Sequence, residues 1–115
     1  MNIEYVARNV ELDDRIRSFA TDKLQKVEKF LEEPIEVRVS VAQEKHRAMA
    51  ELHVTHKHGL IQAAEETTEI LDAINLAVDK AEKQARRSRK KFFDKRRKAD
   101  RSNGSRWPIE ILEGA

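Results

Sequence analysis

Hydrophobic and polar residues alternate along four short segments of the chain, and this two-residue period predicts β-strands. The segments are residues 2–8, 35–43, 46–56 and 60–65. The short link at Glu44-Lys45 predicts a hairpin between the second and third strands. The residues predicted to share the buried side of the first three strands are Ile3, Tyr5, Ala7, Ile35, Val37, Val39, Val41, Ala48, Ala50, Leu52 and Val54.

Two further segments repeat their apolar residues at steps of three and four, which is the period of an amphipathic helix. The first predicted helix covers residues 14–32, is capped by an aspartate and is closed by Pro34. The second follows Thr67 or Thr68, either of which can cap it, and runs from about Glu69 into the 90s. The order β-α-β-β-β-α predicts an α+β fold in which a four-stranded sheet has two helices packed on one face.

Charged residues are unevenly distributed, although the 115-residue chain has a net charge of only +2. Residues 1–79 hold 10 Lys/Arg against 16 Asp/Glu, a balance of −6. Residues 80–106 hold 13 Lys/Arg against 3 Asp/Glu, a balance of +10. Such an asymmetry is typical of a protein that binds a polyanion. The alternative is an ordinary solvated helix face, where charges of both signs usually mix.

Basic residues collect on one side of each predicted helix. At about 100° per residue, those of the second helix form a ridge roughly opposite its apolar stripe. Three lysines at steps of three form a smaller ridge on the first helix. Lys23 lies beside the apolar stripe, so we expect its side chain to snorkel past the core edge toward the groove between the helices. The ridges consist of Lys23, Lys26 and Lys29 on the first helix and Lys80, Lys83, Arg87, Lys90 and Lys91 on the second.

Ridges of this kind suit phosphates better than base edges, because Lys and Arg neutralise phosphates and release counterions without reading sequence. Sequence-specific recognition of single strands usually adds aromatic side chains on which bases stack. Of the six aromatic residues, only Phe93 and Trp107 fall outside the predicted core stripes. The sequence therefore predicts recognition of structured RNA through its shape and backbone.

Three segments of the chain resemble the short-form ribosome hibernation factors, the group that contains the hibernation-promoting factor and the ribosome-associated inhibitor. They are RNVELDDRIRSFATDKLQKVEKFL (residues 8–31), KHGLIQAAEE (57–66) and EILDAINLAVDKAEKQARRSRKK (69–91). The resemblance spans roughly residues 1–97 and implies a double-stranded-RNA-binding-like fold. It also implies binding to the 16S rRNA of the small ribosomal subunit, in the channel used by mRNA and by A- and P-site tRNAs, which would hold translation idle. The candidate RNA-binding residues are Lys23, Lys26, Lys29, Lys80, Lys83, Arg86, Arg87, Lys90 and Lys91.

The chain divides into a predicted ribosome-binding domain at residues 1–98 and a flexible C-terminal tail at residues 99–115. Residues 99–106 are polar and contain an Asn103-Gly104 turn signal, which predicts a mobile linker. The apolar segment WPIEIL follows at residues 107–112. It either stays loose or docks on a sheet edge or groove of its own domain or of a second copy. We expect a monomer when free, with tail-mediated self-association as the alternative.

Other kinds of chemistry find little support in the sequence. The chain has no cysteine, and His53 and His56 of HVTHKH point to opposite faces of a strand, so we expect no metal site. No phosphate-binding loop or catalytic arrangement stands out, so we expect neither an enzyme nor a cofactor or small-molecule substrate. No apolar run approaches the roughly 18 residues of a membrane span, and the N-terminus does not resemble a secretory signal. The expected protein is soluble and cytoplasmic.

Three function classes stay open. The first is an RNA-binding protein that blocks the ribosome. The second is a generic double-stranded-RNA-binding domain, which shares the core of three strands and a helix. The first strand and first helix before that core, together with basic ridges on both helices, discriminate against it. The third is a protein-interaction module that docks its basic helix on an acidic partner.

Overall fold

The computed structural model describes residues 1–102, and the side chains of residues 1–90. The elements are β1 (Asn2–Arg8), α1 (Asp14–Glu28), β2 (Glu36–Glu44), β3 (Arg47–His56), β4 (Gly59–Thr67) and α2 (Ile70–Ser102). This order confirms the predicted fold class. The strands lie in the order β1-β2-β3-β4, with β1 parallel to β2 and the other neighbours antiparallel. The parallel pair requires a crossover connection, and α1 provides it.

The predicted alternation decides which face of the sheet the helices cover. In the β2–β3 register, Val39 pairs with Leu52 and Val37 pairs with Val54, and all four side chains are buried. Residues between them point to the opposite side, hereafter the open face, against which neither helix packs. Because successive side chains point to opposite faces, a slip of one residue would expose the whole apolar set, and the pattern therefore fixes the register.

The first helix starts as predicted but ends earlier. The Asp13 side chain caps it by accepting a hydrogen bond from the Ile16 backbone N–H at 2.9 Å. The helix ends at Glu28, whereas the apolar stripe predicted that it continues to residue 32. The backbone N–H groups of Phe30 and Leu31 donate to carbonyls three residues earlier, at 3.1 and 3.0 Å. This tighter turn keeps both side chains packed against the core, so the stripe persists after the α-helix has ended.

The second helix begins at Ile70, and Thr67 rather than Thr68 contacts its start, with its hydroxyl accepting from the Glu69 N–H at 3.1 Å. The helix continues to Ser102, so residues 99–102, the first part of the predicted linker, are helical. The stretch from 91 to 102 contains neither glycine nor proline, so nothing in it interrupts a helix. The WPIEIL segment and its proposed docking lie outside the described residues.

Small residues bring α2 close to its neighbours. Four alanines at steps of four are fully buried along its inner side, and short side chains allow close packing against the sheet and α1. The four are Ala73, Ala77, Ala81 and Ala85. On the outer side of the same helix, the long basic residues are exposed. Neither helix, over the described residues, is long and apolar enough to cross a membrane.

Candidate nucleic-acid interface

The outer side of α2 presents four exposed cations, opposite the buried alanines. They are Lys83, Arg86, Arg87 and Lys90. From Lys83 to Lys90 this strip is about 10 Å long at 1.5 Å per residue. Among the described residues, none of the four forms an ion pair or a side-chain hydrogen bond. Their charges are therefore available to an external anion. We call these four residues the α2 strip.

Lys80 belongs to the predicted ridge, but the structure turns it toward the edge of the sheet. Its Nζ lies 2.8 Å from Glu65 Oε2 and donates to the Ala64 carbonyl at 3.2 Å. One turn later, the Gln84 side chain donates to the Gln62 carbonyl at 2.7 Å. β4 is an edge strand, and edge carbonyls need hydrogen-bond partners from outside the sheet. Lys80 therefore contributes to the structure, and Glu65 partly neutralises its charge.

The lysines of α1 form the second, smaller ridge, and two of them lie against aromatic rings. Lys23 is half-buried, with its Nζ 5.6 Å from the centre of the Phe19 ring, and Lys29 lies at the same distance from the Phe30 ring. Such cation–π contacts hold a charge in place while leaving it accessible. Lys26, between them, is exposed.

Lys23 lies on the flank of α1 that faces away from β1. The opposite flank contacts β1, where the Tyr5 hydroxyl lies 2.9 Å from Thr21 Oγ1 and donates to the Arg17 carbonyl at 3.2 Å. At about 100° per residue, Phe19 and Lys23 then fall on the side of α2. The sequence predicts that the Lys23 side chain extends toward the groove on this side, between the two helices.

Arg89, which sequence reasoning did not single out, joins the two helices. Its Nη1 donates to the Lys29 carbonyl at 3.3 Å, at the C-terminal end of α1. The last carbonyls of a helix have no partner within it and carry partial negative charge, so a guanidinium is a favourable neighbour. This hydrogen bond connects the C-terminal end of α1, the helix that carries the three lysines, to α2. No local sequence signal marks it, because its partner is 60 residues away.

The histidines near the β3–β4 turn belong to a neighbouring structural cluster. His58 Nε2 lies 3.0 Å from Glu32 Oε2, and the Lys57 backbone N–H donates to the Glu32 carbonyl at 3.2 Å. The hydrogen bond with His58 is the main cause that lowers the pKa of Glu32. Burial lowers the pKa of His56, and the charge of His58 lowers it further. Over the residues described here, no group of three or more potential ligands could hold a metal ion.

Comparison with known proteins gives matches over most of the chain. Residues 3–92 match the family described as Sigma 54 modulation protein / S30EA ribosomal protein. Over 94 residues the chain is 33% identical to the ribosome hibernation promoting factor of Salmonella typhimurium, covering 80% of this chain and 97% of that protein.

Solved structures show the same fold. The N-terminal domain of Protein Y from Thermus thermophilus matches with a TM-score of 0.72 and 32% identity, over 76% of this chain and 98% of that one. A ribosomal subunit interface protein from Coxiella burnetii matches with a TM-score of 0.68 over 76% of this chain and 97% of that one. Its identity is 16%, so this second match bears on the fold alone.

Proposed function

The chain belongs to the Sigma 54 modulation protein / S30EA ribosomal protein family, and from this premise we propose that it is a ribosome hibernation factor. In this role it is a non-enzymatic, ribosome-associated protein that regulates translation, which is consistent with its similarity to a protein named ribosome hibernation promoting factor. Its proposed partner is the small ribosomal subunit, which it occupies to hold translation idle under stress. Association with ribosomes would place it in the cytoplasm.

The proposed contact is with 16S rRNA, in the channel used by mRNA and by A- and P-site tRNAs. The observation that carries this proposal is the α2 strip, whose four cations are exposed and make no ion pair within the described residues. Cations without a protein partner can neutralise phosphates and release the condensed counterions of RNA. Lys23, Lys26 and Lys29 supply a second line of contacts across the interhelical groove.

The remaining candidate residues are expected to contribute differently to RNA binding. Lys80 is expected to contribute less than Lys83, because Glu65 already neutralises part of its charge. Lys91 remains a prediction from the sequence, since its side chain lies outside the described ones. The division into a domain at residues 1–98 and a tail at 99–115 likewise remains a proposal, as does a free monomer whose tail mediates any self-association.

The two alternative functions fit the molecule less well. The features expected to set the chain apart from a generic double-stranded-RNA-binding domain are the first strand and first helix before the shared core, and β1 and α1 are present here. A module that docks a basic helix on an acidic protein would need only the α2 strip. It would not account for a second set of cations on α1, held beside the first by Arg89.

Competition on purified small subunits tests the proposed site. The full chain should co-sediment with empty subunits, and bound mRNA with P-site tRNA should reduce that binding by at least tenfold, because both would occupy one channel. Subunits that carry mRNA alone should show a partial loss of binding, because mRNA would occupy part of the same channel. Equal binding to empty and tRNA-filled subunits would place the protein elsewhere on the ribosome, and binding to neither would overturn the proposed function.

A further inference from the structure

The open face of the sheet differs in chemistry from the helical side. It carries five glutamates against three arginines and has no Phe, Tyr or Trp. It therefore repels phosphate overall and offers no platform for stacked bases. The charged residues are Glu4, Arg8, Glu36, Arg38, Glu44, Arg47, Glu51 and Glu66.

All three arginines of the open face are paired with glutamates on it. The pairs are Arg8–Glu44 at 3.9 Å, Arg38–Glu4 at 3.1 Å and Arg47–Glu66 at 2.8 Å. Glu36 and Glu51 are left over, and within the described chain neither forms an ion pair with Lys or Arg. Glu51 has His53 of its own strand as a neighbour, at 3.3 Å. Uncompensated negative charge therefore remains at Glu51, in the middle of the face.

Glu51 lies in a shallow depression of about 730 Å³ on this face. Small side chains form its floor, because Ser40 and Ala64 occupy the positions paired with Glu51 on the two adjacent strands. Val6, which is 45% exposed, and Met49 add apolar surface. The Arg8–Glu44 and Arg47–Glu66 pairs lie toward one end of it. An apolar depression with one uncompensated carboxylate suits a segment that has an apolar side chain next to a cation.

We propose that this depression binds a Lys- or Arg-containing protein segment of the small ribosomal subunit. The inference rests on the proposed function, since the helices must face the rRNA for the open face to point away from it. The side turned from the RNA is then free to meet protein. The partner's apolar side chain occupies the space beside Val6, and its cation lies at Glu51. The domain thus holds the ribosome through RNA on one side and protein on the other.

Site-specific cross-linking on both faces tests the proposal with matched positions. A benzophenone amino acid replaces either Val6 on the open face or Leu76 on the outer side of α2, two aliphatic residues that are 45% and 44% exposed. Each full-length variant is bound to purified small subunits and irradiated. Val6 should cross-link to a ribosomal protein, and Leu76 to rRNA.

Charge reversal at Glu51 tests whether the cross-link from Val6 depends on the carboxylate in the depression. Glu51→Lys should reduce the protein cross-link from Val6 several-fold, because repulsion replaces attraction at the partner's cation. Glu36→Lys changes the net charge equally but lies outside the depression, so it should leave the cross-link unchanged.

Several outcomes would overturn the inference. With the Leu76 cross-link to rRNA intact, a Val6 cross-link to rRNA or to a second copy contradicts it, as does the absence of any Val6 product. Equal effects of the two charge reversals would also contradict it. If the Leu76 cross-link to rRNA is absent and the chain also fails to co-sediment with small subunits, the proposed function is overturned, and the inference with it.

Discussion

The helical side and the open face of this domain both carry arginines, but those arginines have different partners. On the open face, Arg38 and Arg47 lie within about 3 Å of glutamates on adjacent strands. On the outer side of α2, the described residues offer Arg86 and Arg87 no such partner. Paired cations on an exposed surface contribute little stability and little external field, whereas unpaired ones attract phosphate. A candidate RNA-binding surface is therefore distinguished by the partners of its basic residues rather than by their number.

Charge reversals on the two faces should produce the largest difference in affinity for small subunits. Lys83→Glu with Arg87→Glu should weaken binding to small subunits on the order of a hundredfold or more, because like charges then face phosphate. It should also abolish inhibition of cell-free translation. Arg8→Glu with Arg38→Glu makes the same change in net charge on the open face and should weaken binding far less. Circular dichroism checks that both variants remain folded, and equal loss of binding by the two folded variants would show that only net charge matters.

Neutralising one lysine at a time distinguishes unpaired from paired cations within α2 itself, through the salt dependence of binding. Lys83→Gln should reduce the slope of log affinity against log salt by about 0.9, the value for one lost phosphate contact. Lys80→Gln should change that slope less and should lower the melting temperature slightly, because Lys80 bonds the Ala64 carbonyl and pairs with Glu65 at an exposed edge. Equal changes of slope in the two variants would contradict a structural role for Lys80.

The smallest expected effect concerns pH and the buried His56. Its pKa is lowered in the folded chain, so the unfolded chain takes up the proton more readily. The contribution of His56 to stability is therefore present above the unfolded pKa of about 6.5 and is lost as the pH falls through the lowered folded value. Thermal unfolding from pH 8 to pH 5 measures this loss. His56→Gln should reduce the pH dependence of the melting temperature, whereas His53→Gln, on the open face, should leave most of that dependence unchanged. The reverse ranking would contradict this assignment.

Much of the fold follows from local patterns, and the departures have identifiable physical causes. Alternation predicts the buried side of β2 and β3 because one face of the sheet is covered. The prediction that α1 ends at residue 32 was wrong, because Phe30 and Leu31 continue the apolar stripe after the α-helical hydrogen bonding has ended. The helical period predicts the direction in which Lys80 points around the axis of α2. It does not predict that the edge strand β4 lies beside Lys80.

Long-range contacts at the candidate site could not be read from the sequence. Arg89 and Lys29 are 60 residues apart, and His58 and Glu32 are 26 apart. No periodicity links such positions, because their contact depends on how α1, α2 and the β3–β4 turn pack together. The sequence predicts which cations are exposed along a helix. The packing decides which of them are already paired.

The salt dependence of binding shows whether unpaired cations on the helices bind rRNA phosphates, on which the proposed function depends. The measurement is the affinity of the full chain for purified small subunits between 50 and 200 mM monovalent salt. If 6–10 phosphates are contacted, affinity should fall by roughly a thousandfold or more across this range. An affinity that stays constant from 50 to 200 mM salt would contradict binding through phosphates.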